Sequence, residues 1–194
     1  RVRDRAGGVT GTGNAITLSY ANAAEQPIRE AIVELIQSGG NTLATTTTDG
    51  NGNYSLAAPA DTSVFVRVQA QLRKTTTPAR SIRVLNNTNG NALYVLDSAV
   101  FNSGATNQTK NLLAGSGWGG TSYTGARSAA PFAILDTLLA AAEFVVANGN
   151  AALDLPGLET GGLGCAPVVS VIHYLIRRRE RYGKLVIIQG VRHA

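Results

Sequence analysis

Apolar and polar residues alternate with a period of two over much of the first hundred positions. Across residues 64–72, Val64, Val66, Val68 and Ala70 fall on one side, while Phe65, Arg67, Gln69 and Gln71 fall on the other. Such alternation marks a strand with one face in a core and the other toward water. The same reading predicts strands over residues 15–20, 28–37, 42–48, 54–57, 81–85 and 92–96. Residues 28–37 have fair helix propensity, but their apolar positions lie close to alternation and Pro27 precedes them, so a strand is expected there too. Between the strands stand turn-forming clusters, Gly39-Gly40-Asn41 and Asn86-Asn87-Thr88-Asn89-Gly90-Asn91 among them. Seven short strands at this spacing predict a β-sandwich or barrel over residues 15–100, after a flexible lead-in over 1–14.

The sharpest reversal is Asp49-Gly50-Asn51-Gly52-Asn53-Tyr54, which follows four consecutive threonines. Threonine is stiff at χ1 and favours extended backbone. Asp, Asn and Gly tolerate the positive φ that a tight turn needs. A hairpin is expected: strand, turn, then a second strand beginning at Tyr54.

The period changes after residue 127. Phe132, Leu135, Leu139, Ala142 and Val146 recur at helical spacing, with Ser128 placed to cap, Pro131 in the first turn and Gly149 as a stop. Most remaining positions of this helix are apolar as well, and Asp136 and Glu143 are its few charges, so burial on more than one side is expected. Residues 101–127, between the β region and the helix, form a polar connector rich in Gly, Ser, Asn and Thr. A structureless loop of that length is uncommon, so Trp118 and Tyr123 are candidate anchors or binding aromatics. Residues 128–194 are read as a helical extension with a basic tail.

Composition narrows the class. The chain is 44% hydrophobic and only 15% charged, against a usual charged share of about 25%. That profile, with its many Gly, Thr and Asn, suits an extracellular or cell-surface β protein. One cysteine, Cys165, permits no intrachain disulfide. No run reaches the roughly 18 apolar residues of a membrane span. The chain opens on Arg1 and contains no Met, which reads as a piece of something longer. The net charge of +5 is concentrated at the ends: residues 177–184 hold five basic groups against one acid, and Arg1, Arg3 and Arg5 flank Asp4. A near-neutral body argues against a nucleic-acid partner.

Candidate chemistry is sparse. The two histidines, His173 and His193, are twenty residues apart and neither is followed by Glu, so an HExxH zinc site has no matching positions. Asp49, Asn51 and Asn53 imitate the start of a calcium loop, but Tyr54 stands where its glycine belongs and Ala60 where its bidentate Glu belongs. A plain turn is expected. The glycines of residues 7–13 lack the Gly-Lys-Ser/Thr of a phosphate loop. Cys165 has no neighbouring base, and no Gly-x-Ser-x-Gly elbow occurs. Asn53, Asn86 and Asn107 lie in Asn-x-Ser/Thr sequons, which matter only in a eukaryotic secretory route. No catalytic, metal or cofactor site is expected.

The run Asp49-Gly50-Asn51-Gly52-Asn53-Tyr54, between Ile32-Val33-Glu34-Leu35 and Val64-Phe65-Val66-Arg67-Val68, resembles the carboxypeptidase regulatory-like domains. Those domains have a transthyretin-like (prealbumin-like) seven-stranded sandwich. A wider likeness joins residues 87–97, Gly117-Trp118-Gly119-Gly120 and residues 130–136 to secreted bacterial proteins in which the sandwich precedes an HExxH zinc region. The resemblance covers residues from about 25 to 155 and stops before Gly161. Beyond it the sequence turns arginine-rich and Asn-poor, which suggests a different origin for the tail. The resemblance implies a mainly β, transthyretin-like module without the peptidase chemistry. Three functions are in view: a structural or binding module that self-associates into an oligomer or fibre, the accessory region of a zinc metallopeptidase, and a carbohydrate-binding module using Trp118 and Tyr123.

Overall fold

A computed structural model of the chain describes residues 1–4, 8–10, 17–19, 24–149, 152, 154, 155 and 157–161. These lie within one unit, Arg1–Gly162. Cys165, His173, His193 and the basic run 177–184 fall outside the described residues.

The strands begin with β1 (Val2–Asp4), β2 (Gly8–Thr10), β3 (Thr17–Ser19) and β4 (Gln26–Pro27). The longest follow: β5 (Ala31–Gln37), β6 (Thr42–Thr47), β7 (Ser63–Lys74) and β8 (Arg80–Asn86). Then come β9 (Ala92–Leu93), β10 (Val95–Asp97), β11 (Phe101–Asn102), β12 (Leu112–Ala114), helix α1 (Ala129–Asn148) and β13 (Leu158–Gly161). The chain is mainly β, with mixed sheets and one helix toward the C-terminal side. The large sheet runs β13-β8-β7-β5-β6, with β10 and β11 also on β7 and β9 on β8. A small sheet runs β12-β1-β4, and β2 pairs with β3 alone. Thus thirteen strands in three sheets stand among the described residues where the sequence predicted seven in one sandwich.

The longest strand organises the rest. Along one edge β7 pairs with β5; its other edge is shared by β8, β10 and β11. Val64, Val66, Val68, Ala70 and Leu72 of β7 are all buried, as the period-2 pattern predicts. Ala31, Val33 and Leu35 of β5 and Ile82 and Val84 of β8 join them. Helix α1 contacts β8, β7 and β1 and buries Phe132, Leu135, Leu138, Leu139 and Ala142. Arg29 ties the helix down from the segment before β5: its Nε lies 2.6 Å from Asp136 and its Nη1 3.1 Å from Glu143. The two helix charges are seven residues apart, so they share a face and one guanidinium serves both.

Several expectations change. The lead-in is not loose at its start: Val2 is fully buried, Asp4 nearly so, and β1 pairs with both β12 and β4. The predicted strand at 15–20 is described only as β3, paired with β2. The strand predicted from residue 28 begins at Ala31, because Glu30 takes φ 53° and grips buried Arg80, accepting 3.0 and 2.5 Å hydrogen bonds. The predicted strand 92–96 breaks at Tyr94, whose N–H donates to Val84 O while its carbonyl accepts from Ala70 N–H. The chain there passes from the edge of β8 to the edge of β7. The connector 101–127 carries β11 and β12. Ser128 makes no side-chain cap on α1; the N–H of Ala129 is instead bound by Gly115 O. Gly149 does end the helix, with its N–H on Val145 O.

Candidate functional site

Residues 49–53 form the expected turn. Asp49 N–H donates to Asn53 O at 2.9 Å, and Gly52 N–H to Asp49 O at 3.0 Å. The Asp49 carboxylate is used within the loop: Oδ1 accepts from the N–H groups of Asn51 and Asn53 at 2.8 Å, and Oδ2 from Asn53 Nδ2 at 2.9 Å. The Asn53 side-chain bond, its backbone bond and the Asn51 bond hold the carboxyl below its ordinary pKa, with nearby Arg1 assisting. This is the Asx-turn chemistry expected of Asp at such a position. Among the described residues no three His, Cys, Asp or Glu converge as a metal site would require.

The second arm of the predicted hairpin does not form. Residues 54–57 are not a strand, and among the described residues β6 pairs with β5 alone. The turn serves β1 instead. Gly52 adopts φ 73° and its carbonyl accepts the Val2 N–H at 2.7 Å. A Cβ at Gly52 would stand 2.4 Å from Val2 O, so only glycine lets the two backbones approach. Arg1 Nε donates to Asn53 Oδ1 at 3.0 Å beside it. Gly50, with open space around it, carries no such demand.

Trp118 and Tyr123 do come together. They bridge through their backbones, and their rings meet edge to face with centroids 5.3 Å apart and planes at 78°. The Gly119 N–H donates to Ser122 O at 2.8 Å, closing the turn between them. Arg127 places its guanidinium 4.4 Å from the Tyr123 ring centre. Rings so crossed offer no common plane for a sugar to stack on. The contact between the two rings and that of Arg127 with Tyr123 both lie within the connector.

The two edges of the large sheet differ. At one, β13 is four residues long and carries Glu159, paired with Arg83. At the other, β6 is six residues long, reads Thr-Leu-Ala-Thr-Thr-Thr, and has neither charge nor proline. Its free edge has no partner strand among the described residues. Charge, proline and shortness are the usual guards against edge-to-edge pairing, and β6 has none of them.

A feature with no counterpart in the sequence reading lies beyond the turn. Residues 54–60 and 101–110 flank an open cleft of about 580 Å³, floored by Leu35 and Val66. Tyr54 Oη reaches across to donate to Lys110 O at 2.7 Å, and burial raises the phenol pKa above its ordinary value. No motif signals this cleft, because it arises from a strand that fails to form.

Comparison of the chain with protein-family models, with curated proteins and with solved structures found no match.

Proposed function

We propose that the chain is a non-catalytic structural or binding module, working outside the cell or at its surface, that self-associates through the free edge of β6. The edge carries the proposal: six uncharged, proline-free residues beside β5 leave an edge without a partner strand among the described residues. Two copies meeting at this edge would extend one sheet into the next, as an oligomer or as the start of a fibre. The transthyretin-like sandwich and its kinship with carboxypeptidase regulatory-like domains belong to the same proposal. Their support is the Asp49–Tyr54 motif together with a mainly β architecture in which the motif forms a real turn.

Thr45→Lys is the discriminating variant. Thr45 is exposed and sits opposite Glu34 in the β5–β6 register. A lysine there gains a cross-strand partner within the fold and places a charge on the edge. Loss of concentration-dependent assembly with unchanged circular dichroism supports the proposal; assembly equal to that of the unaltered chain sinks it.

A further inference from the structure

The cleft beyond the turn has the form of an interrupted sheet. Its walls are joined at both ends: Tyr54 Oη donates to Lys110 O, and Ser103 Oγ donates to Pro59 O at 2.6 Å. Between those ties neither wall turns back on the other. Residues 53–59 run without bend or turn, whereas the facing wall bends at 105 and 106, after Gly104 at φ 64°, before it extends over 107–111. Among the described residues, the backbone groups of 55–58 on one wall and of 105–107 and 109 on the other make no hydrogen bond. Buried backbone is almost always paired, and exposed backbone of this kind is satisfied by water that a strand can displace. The tie at the Tyr54 end runs through a whole tyrosine side chain, and the tie at the other end through the shorter side chain of Ser103. Four extended residues, about 13 Å of strand, match the stretch 55–58.

The lining says what would fit. The floor is aliphatic, from Leu35 and Val66. The rims are small, with Ala57, Ala58, Gly104 and Ala105 leaving room for an incoming chain. Arg1 and Lys110 supply positive charge, and among the described residues no Asp or Glu lines the cleft. No titratable cluster or enclosed apolar chamber marks it as a small-molecule site.

We infer that this cleft accepts an extended, acidic polypeptide segment of a partner protein. The segment is added as a strand: its backbone pairs with the unpaired groups of the extended wall 55–58, its apolar side chains face Leu35 and Val66, and its carboxylate meets Arg1 and Lys110. This mode is strand addition, in which main-chain bonds give affinity and alternate side chains give selectivity. It goes beyond self-association at β6 and uses a different part of the molecule.

The test is an amide NMR titration of the full chain carrying Thr45→Lys, so that the β6 edge is blocked and the outcome does not depend on self-association. The probe is acetyl-Thr-Val-Thr-Val-Thr-Glu-amide. Its control is the same peptide N-methylated at alternate amides, which keeps the side chains and removes strand donors. Saturable shifts are expected at the amides of 55–58 and 105–109, with at least tenfold weaker binding of the methylated peptide. Lys110→Glu, at a half-buried surface position, is expected to weaken the unmodified peptide at least threefold. Lys110 contributes only its carbonyl to the Tyr54 tie, but its Nζ lies 4.1 Å from the Phe101 ring centre, so the variant is read only with its circular dichroism spectrum unchanged. The proposal is overturned if the cleft amides do not move at millimolar peptide, if the methylated peptide binds equally well, or if Lys110→Glu binds no more weakly.

Discussion

At the scale of single residues, the turn shows how one motif takes on work that its sequence does not announce. Asp49 organises the loop and Gly52 lets β1 dock against it. Gly52→Ala forces a left-handed backbone onto a residue with a Cβ and drives that Cβ into a carbonyl. A loss of about 2–3 kcal/mol in chemical denaturation is expected. Gly50→Ala, in open space, is expected to change little. Asp49 makes a pH prediction. Its folded pKa lies below the ordinary 3.8, so the turn's contribution is fully present above that value. It is lost as pH falls through the lower folded pKa. The melting temperature of the unaltered chain should therefore exceed that of Asp49→Asn at neutral pH, and the two should converge as pH falls through the lowered folded pKa. A gap that stays constant with pH would place the contribution elsewhere than in the carboxylate. The turn was legible in the sequence because Asx and glycine chemistry is local. Its partner was not, since β1 lies fifty residues upstream and nothing in a three-residue strand marks where it will dock.

Elements follow the same division. Strands β5 and β7 were legible because alternation over seven or more residues outweighs propensity, and both bury the side that the pattern assigns; β8, predicted over 81–85, extends one residue further at each end. Helix α1 was legible from its period and its stop. Its cap was not, because the carbonyl of Gly115 reaches Ala129 through tertiary structure. The strand predicted at 54–57 does not form: its alternation is real but short, and Tyr54 turns instead to the Lys110 carbonyl while the second edge of β6 stays without a partner among the described residues. The helix divides into a buried and an open side, which mutation can map. Phe132 is 1% exposed and Phe144 is 44% exposed. Phe132→Ala is expected to cost about 3–5 kcal/mol by leaving a cavity against the sheet, and Phe144→Ala less than about 1 kcal/mol. Equal losses would mean that the helix is seated on a different face. Arg29→Ala removes both ion pairs of α1 at partly exposed sites, and about 1 kcal/mol is expected from the same denaturation series.

At the scale of the whole molecule, the described residues form a mainly β unit whose large sheet has one guarded edge and one open edge. The mainly β class was legible from the first hundred residues. The division into a large and a small sheet was not, because strand order depends on pairings between distant segments that periodicity does not encode. The contrast between β13 and β6 emerges only at this scale, and self-association through β6 is the central claim it supports. Sedimentation velocity across a hundredfold concentration range, comparing the unaltered full chain with Thr45→Lys, tests it most directly. The account predicts a sedimentation coefficient that rises with concentration for the unaltered chain and stays at the monomer value for the variant. A monomer at every concentration in both, or equal assembly of the two, would contradict it.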